Sequence, residues 1–195
     1  MGCGSGAFLL ALEDAGWRTS GIEIDAGAVE AAHQAGLERV RQGDFLEAGY
    51  VDSSMDVVRF WHSLEHLRSP RAALEEARRI LRPAGKLVVG VPNFGSLLSK
   101  ALRSRWFPLE VPRHLWHFDR ARLCALARQT GFEIQRIRNV SSSAAILGSF
   151  DYLRGRSDTL AENRLASNMV QPLAALLDVL RLGDELELIA IASGS

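Results

Sequence analysis

The chain has 195 residues, enough for one domain or for one domain with an elaboration. Acidic and basic residues balance at 23 each, so the overall charge gives no reason to expect nucleic acid or a membrane surface as partner. Cys3 and Cys124 stand far apart in no metal or redox spacing and read as free thiols, and the longest apolar stretch, MVQPLAALLDVLRL, contains Asp178 and Arg181 and is too short to span a bilayer.

The chain opens on GCGSG, with glycine at positions 2, 4 and 6. AFLLALEDAGW then carries a helical apolar stripe that closes at Gly16, and RTSGIEID reads as a short strand ending in acids. AGAVEAAHQAG is a helix stopped by Gly36, and LERVRQGDF is a brief strand with a Gly-Asp turn. MDVVRFWH, β-branched and aromatic, has the composition of a buried strand. Ser69 and Pro70 form a cap and first-turn pair for a helix with Leu74, Ala77 and Leu81 on one face, and RPAG breaks it. KLVVGVPN is a second buried strand. FDRARLCALARQTGF is a helix capped by Asp119, FEIQRIRNV a strand of alternating character, and DELELIAIAS a closing strand. Residues 141–183 are a Ser-rich turn, a polar stretch and an apolar helix.

Alternating strands and helices with short turns predict a doubly wound α/β sheet covered on both faces. The one long non-periodic connection is 93–117, and loops of that length in compact domains are usually functional or disordered. It interleaves Lys100, Arg103, Arg105 and Arg113 with Trp106, Phe107, His114 and Trp116. Either it is an amphipathic surface arm or it is a lid over a substrate.

A glycine-rich turn opening a helix lets a ligand approach the backbone and offers it unpaired N–H groups. Glu23 follows about 20 residues on, at the end of the next strand, where a carboxylate can accept from both ribose hydroxyls. Asp44 ends the third strand, placed to accept from an exocyclic amine. Together these three strand ends predict an adenosine-like ligand at the carboxyl edge of the sheet.

On these residues the chain resembles the class I S-adenosylmethionine-dependent methyltransferases, and most of all a small-molecule branch that includes the ubiquinone-biosynthesis O-methyltransferases. GCGSG, GIEID, GDF, MDVVRFWHSLEHL, LRPAGKLVVGVPN, VPRHLWHF and GFEIQRI carry the resemblance. It covers roughly 1–140 and the last strand, and is thin across 141–183. It implies an α/β, mostly parallel Rossmann-like sheet with an antiparallel last strand. It also implies a single methyltransferase-like domain over 1–195, with a lid-like arm at 93–117 and a helical insertion at 141–183.

The resemblance further implies that Gly2, Cys3, Gly4 and Gly6 line the methionine and ribose side of S-adenosylmethionine. Glu23, with Ile24, would hold the ribose; Asp44 and Phe45 would flank the adenine; Trp61 and His62 would sit beside the sulfonium. The expected reaction is methyl transfer to a small-molecule acceptor, with oxygen favoured over nitrogen or carbon. His62, His66, His114 and His117 are the candidate bases, although the plainer reading makes His62 and His66 pocket walls. Family members have a strand ending in an acid just before the glycines. Here Met1 takes that place, so the sequence reads as N-terminally truncated and is expected to bind the cofactor poorly. A non-catalytic binding protein is therefore one alternative. A nicotinamide-dependent oxidoreductase is a second, although its loop prefers G-x-G-x-x-G and Ala7 stands where the third glycine would fall.

HSLEH, residues 62–66, matches the inverted zinc-protease pattern H-x-x-E-H. His62 directly follows a strand, so one helical face for both histidines is not provided, and no third ligand has a position. No metal site is assigned on the sequence. MGCGSG brushes against an acylation pattern that needs Ser or Thr where Gly6 stands, leaving at most weak peripheral membrane contact. With no basic stretch ahead of an apolar run, a cytoplasmic location is expected.

Overall fold

In a computed structural model, residues 1–155 and 164–193 are described. Helix α1 (Ala7–Asp14) leads to strand β1 (Gly21–Glu23), α2 (Ala26–Gln34), β2 (Val40–Gln42) and β3 (Met55–Trp61). Then come α3 (Pro70–Ile80), β4 (Leu81–Pro92), α4 (Leu97–Leu102), α5 (Arg120–Gln129) and β5 (Phe132–Val140). Helices α6 (Ser143–Leu153) and α7 (Arg164–Val179) precede β6 (Glu185–Ala192). Local capping and turn signals explain most starts and stops. Asp25 caps α2 by accepting from Ala28 N, and Asp119 caps α5 by accepting from Arg122 N at 2.8 Å. Pro70 sits in the first turn of α3, where its missing N–H costs nothing; Ser69 holds the cap position but makes no side-chain cap bond.

The strands form two pieces. β1 and β2 pair in parallel, and the larger sheet has the order β3-β4-β6-β5. β3 runs parallel to β4, while β6 is antiparallel to both β4 and β5. The last strand is therefore the one that runs against the rest of its sheet. Residues 1 and 2 lie between the pieces: the Met1 amine donates to Arg59 O on β3, and Gly2 N donates to Ile22 O on β1, each at 2.9 Å.

Leu87, Val89 and Val91 of β4 and Leu186, Leu188 and Ala190 of β6 are fully buried in the main core, with Phe60 and the Leu74–Ala77–Ile80 face of α3. A smaller core of Val29, Ala32, Leu37 and Val40 lies beneath the glycine loop. The helix-to-strand passage departs from expectation. Helix α3 ends at Ile80, and Leu81 already pairs with Met55 as strand. RPAG, expected to end the helix, is instead an excursion within β4, because pairing resumes only at Val57 with Lys86. In the expected insertion at 141–183 two helices flank residues 156–163, which lie outside the described residues. No described helix is long and apolar enough to cross a membrane.

Candidate active site

The glycine loop runs from the gap between the sheet pieces into α1, and its three glycines meet different surroundings. A Cβ on Gly6 would come within 2.2 Å of Leu37 Cδ1, and one on Gly2 within 2.8 Å of Ser63 Cβ. These two are small so that the loop can press against α2's core and against the turn after β3. A Cβ on Gly4 would meet nothing within 4 Å. Gly4 is therefore the open point of the loop, where a ligand can lie against bare backbone. Both Gly4 and Gly6 have positive φ, 53° and 80°, which other residues adopt at a cost of about 1–2 kcal/mol. Alanine at either position shares that backbone cost. Gly6→Ala adds overpacking and should be less stable than Gly4→Ala by about 1–3 kcal/mol in a denaturant melt. Gly4→Ala should show its larger effect in calorimetric titration with S-adenosylmethionine.

Glu23 ends β1 directly beside this loop. Its Oε2 accepts from Gly4 N at 2.8 Å, and its Oε1 accepts from Ile24 N at 2.8 Å and Asp25 N at 3.1 Å. A carboxylate has about four acceptor sites, so with these three bonds made about one remains for a ribose hydroxyl. Ile24 is 76 % exposed beside it. Asp44 Oδ1 accepts from Leu46 N at 2.8 Å and so shapes the turn after β2. The Phe45 ring points the other way. It is buried and packs edge-on against Phe60, with centroids 5.5 Å apart, so Phe45 can offer a ligand only backbone. Cys3 is half-buried under β1, its sulfur close to Gly21.

Arg59 ties the loop's helix to β3. Its guanidinium lies 4.0 Å from the Phe8 ring centre and 4.3 Å from that of Trp61, a cation–π stack spanning the two elements. Trp61 in turn covers Gly90 of β4, where a side chain would collide with the indole.

Beyond Trp61 the chain turns sharply at His62, which has φ 48°, and forms a short 3-10 turn at Leu64–His66. His62 faces two carboxylates: Nδ1 is 3.6 Å from Glu65 Oε1, and Nε2 is 3.5 Å from Glu185 Oε1. Glu65 does most to lift the His62 imidazole above its ordinary 6.5; burial opposes this and Glu185 adds to it. Burial also pushes the Glu185 carboxyl up.

The arm at 93–117 folds onto this turn. Leu115 N and Trp116 N both donate to Glu65 O, at 2.9 and 3.2 Å, and the Trp116 indole donates to Leu67 O at 2.8 Å. These bonds bring His114 against His66, ring centres 4.6 Å apart. His62, His66 and His114 thus line one cavity of about 270 Å³, with Glu110, Arg113, Ser142 and Glu185. His114 is buried, and burial lowers its pKa. His117 does not line that cavity: its Nε2 meets Leu109 O at 3.0 Å, and its ring packs at a tilt against Phe94 inside the arm. Lys100 and Arg103 border a separate cavity of about 870 Å³, together with Arg120 and Arg122.

A family model described as a methyltransferase domain matches residues 1–137, well over half of the chain. The chain belongs to the S-adenosylmethionine-dependent methyltransferase family. It is 32% identical over 148 residues, 74% of its length, to a probable S-adenosylmethionine-dependent methyltransferase of Mycolicibacterium smegmatis, of which it covers 55%. It is 27% identical over 121 residues to the ubiquinone biosynthesis O-methyltransferase of Idiomarina loihiensis, a match spanning 59% of this chain and 47% of that one. The chain thus spans about half the length of these curated relatives. A solved S-adenosylmethionine-dependent methyltransferase from Archaeoglobus fulgidus superposes with a TM-score of 0.68 over 97% of this chain and 83% of its own, at 20% identity. That likeness establishes the shared Rossmann-like fold of the methyltransferase domain.

The loop and Glu23 suit the family's cofactor. Gly4 leaves open space, Glu23 keeps an acceptor site, and Ser63, the residue after His62, packs against Gly2 of the same loop. Sequence reasoning reached Gly4, Glu23 and three of the cavity's residues. It passed over Glu110 and Glu185 on the cavity wall and the buried Glu65 beside His62. Glu65 stands within the quoted HSLEH, so its position next to His66 was a signal; Glu110 and Glu185 carry none.

Proposed function

We propose that the protein transfers a methyl group from S-adenosylmethionine to a hydroxyl of a small-molecule acceptor bound in the cavity beside His62. The observation that carries this reading is the Gly4–Glu23 bond at the open point of the glycine loop, with the cavity-lining His62 next in the chain to Ser63, which packs against Gly2. S-adenosylmethionine supplies a methyl group already activated by its sulfonium. The chain's own task is then alignment, and holding two reactants in line supplies roughly 7–11 kcal/mol. Glu23 and the Gly4 backbone fix the cofactor's ribose side, with Asp44 at its adenine side. The arm 93–117 serves as the lid that keeps water from the acceptor, an effect that strengthens the polar contacts inside.

Oxygen is favoured as acceptor atom for two reasons. The cavity wall is rich in groups that handle a hydroxyl proton, with His62 set between Glu65 and Glu185 to take it. One relative is named a ubiquinone biosynthesis O-methyltransferase. On this reading the partner is a small molecule and the protein acts in the cytoplasm. Incubation with S-adenosylmethionine carrying a labelled methyl group, against hydroxyl-bearing and amine-bearing aromatic acceptors, tests it. The expected product carries the label on oxygen. Label only on nitrogen would overturn the choice of acceptor atom, and binding of a nicotinamide nucleotide in preference to S-adenosylmethionine would overturn the reaction class.

A further inference from the structure

We infer that Glu65, His66 and His114 form a binding site for a divalent transition-metal ion of the zinc type. One ligand atom from each of the three lies within 4.8 Å of the other two. Glu65 is 1 % exposed, and neither carboxylate oxygen has a hydrogen-bond partner among the described residues. His62 Nδ1 stands 3.6 Å from Oε1, close enough for an ion pair when that ring is charged but beyond hydrogen-bond reach. A buried carboxylate without hydrogen bonds is costly even with one imidazole at that distance, and a cation bound directly to it offsets that cost.

The two imidazoles are set up to complete the set. His66 Nδ1 lies 3.0 Å from Arg113 O, and His114 Nδ1 lies 2.8 Å from Pro108 O. A carbonyl oxygen only accepts, so in both rings Nδ1 carries the proton and, in the neutral ring, Nε2 keeps its lone pair. A histidine whose second nitrogen donates to a carbonyl is the usual arrangement around a bound metal, because that bond fixes tautomer and ring orientation. On the side of His114 Nε2 stands another carboxylate, Glu110 Oε2 at 3.5 Å. Neutral, these two rings bring lone pairs and no proton to the carboxylates beside them, and His62 is left as the ion-pair partner of Glu65.

Two histidines and one carboxylate make the ligand set of open, catalytic zinc sites, which keep a position for a further oxygen. His66 and His114 both line the cavity of about 270 Å³, so that position would face the cavity. Ligands on a tetrahedral ion with bonds of about 2.0–2.2 Å sit ~3.4 Å apart, so the rings draw inward on binding. The H-x-x-E-H reading is changed by this geometry: His62 is outside the set, and the third ligand comes from the arm, held there by the bonds from Leu115 and Trp116 to Glu65 O. Binding of the ion does not depend on the methyl-transfer reading; a role in holding the acceptor's oxygen rests on it.

The test is titration of chelator-treated protein with Co²⁺, followed by visible absorption, and with Zn²⁺ by calorimetry, in the absence of S-adenosylmethionine. One equivalent per chain is expected, with the absorption of a low-coordinate nitrogen- and oxygen-ligated Co²⁺. His114→Gln and Glu65→Gln should each weaken binding at least about tenfold, the smaller end of what even outer-shell changes cost. Half-exposed His66 supplies a third variant, His66→Gln, should the buried changes prevent folding. Absence of stoichiometric binding by the unaltered protein, or affinity undiminished in the folded variants, would overturn the site. Calorimetry with S-adenosylmethionine on the same sample reports separately on the methyl-transfer reading.

Discussion

Replacing Glu23 by alanine is expected to weaken S-adenosylmethionine binding by about 1.5–3 kcal/mol, the range for hydrogen bonds to a charged group. That is roughly 10- to 150-fold in Kd. The effect has two sources. The carboxylate would lose its bond to the ribose, and it would release the N–H groups of Gly4, Ile24 and Asp25 that it now gathers at the loop. Glu23→Gln should recover part of the loss, because an amide oxygen still accepts. It should not recover all of it, because one carboxylate oxygen is replaced by a donor facing N–H groups. Calorimetric titration of the three proteins side by side checks the order. Equal affinities would remove Glu23 from the site.

Replacing Asp184 by asparagine is expected to stabilise the protein increasingly as pH rises. Asp184 is fully buried at the start of β6; its Oδ1 accepts from Ser142 N at 2.9 Å, and its Oδ2 has no partner among the described residues. Burial pushes its pKa from an ordinary 3.8 up to about 7. The folded protein therefore keeps a proton that the unfolded chain has released, and stability falls as pH rises from about 4 to about 7. At about 1.4 kcal/mol per pH unit, the loss is on the order of 4 kcal/mol once pH passes the folded value. Asparagine carries no such charge and keeps the bond from Ser142. The difference in denaturant midpoint between Asp184→Asn and the unaltered protein should grow through that window and level off above it. A difference independent of pH would show that Asp184 does not hold its proton in the fold. Glu185 titrates in the same direction in both proteins, so it does not set the difference.

Much of the fold could be read from local signals. β3 coincides with the β-branched run MDVVRFW, and the Asp119 cap starts α5 where capping chemistry places it. The strand pairing on either side of RPAG could not, because it depends on Met55 and Val57 across the sheet; RPAG itself makes its turn, with Ala84 at φ 62°, inside β4 rather than ahead of it. The candidate site divides in the same way. Gly4 and Glu23 are legible because the strand–loop–helix pattern fixes where both fall. Which glycine is open and which are packed depends on Leu37 and Ser63, and the sequence around the loop says nothing of either. Phe45 adjoins Asp44 in the chain, yet its ring serves the core, since a side chain next to a ligand-facing residue can point the opposite way. His114 and His117 look equivalent in VPRHLWHF. The backbone bonds to Glu65 O turn the one toward His66, while Leu109 O and Phe94 hold the other inside the arm.

The central claim, that the Gly4–Glu23 loop and the turn at His62 hold S-adenosylmethionine, can be tested without knowing the acceptor. Ultraviolet crosslinking of methyl-labelled S-adenosylmethionine to the protein, followed by tryptic mapping, reads the site directly. The account predicts label in the peptides Met1–Arg18 and Phe60–Arg68, which hold the glycine loop and the His62 turn, and loss of that label when S-adenosylhomocysteine is added in excess. Label confined to peptides beyond Arg120, or label that excess S-adenosylhomocysteine does not displace, would contradict it.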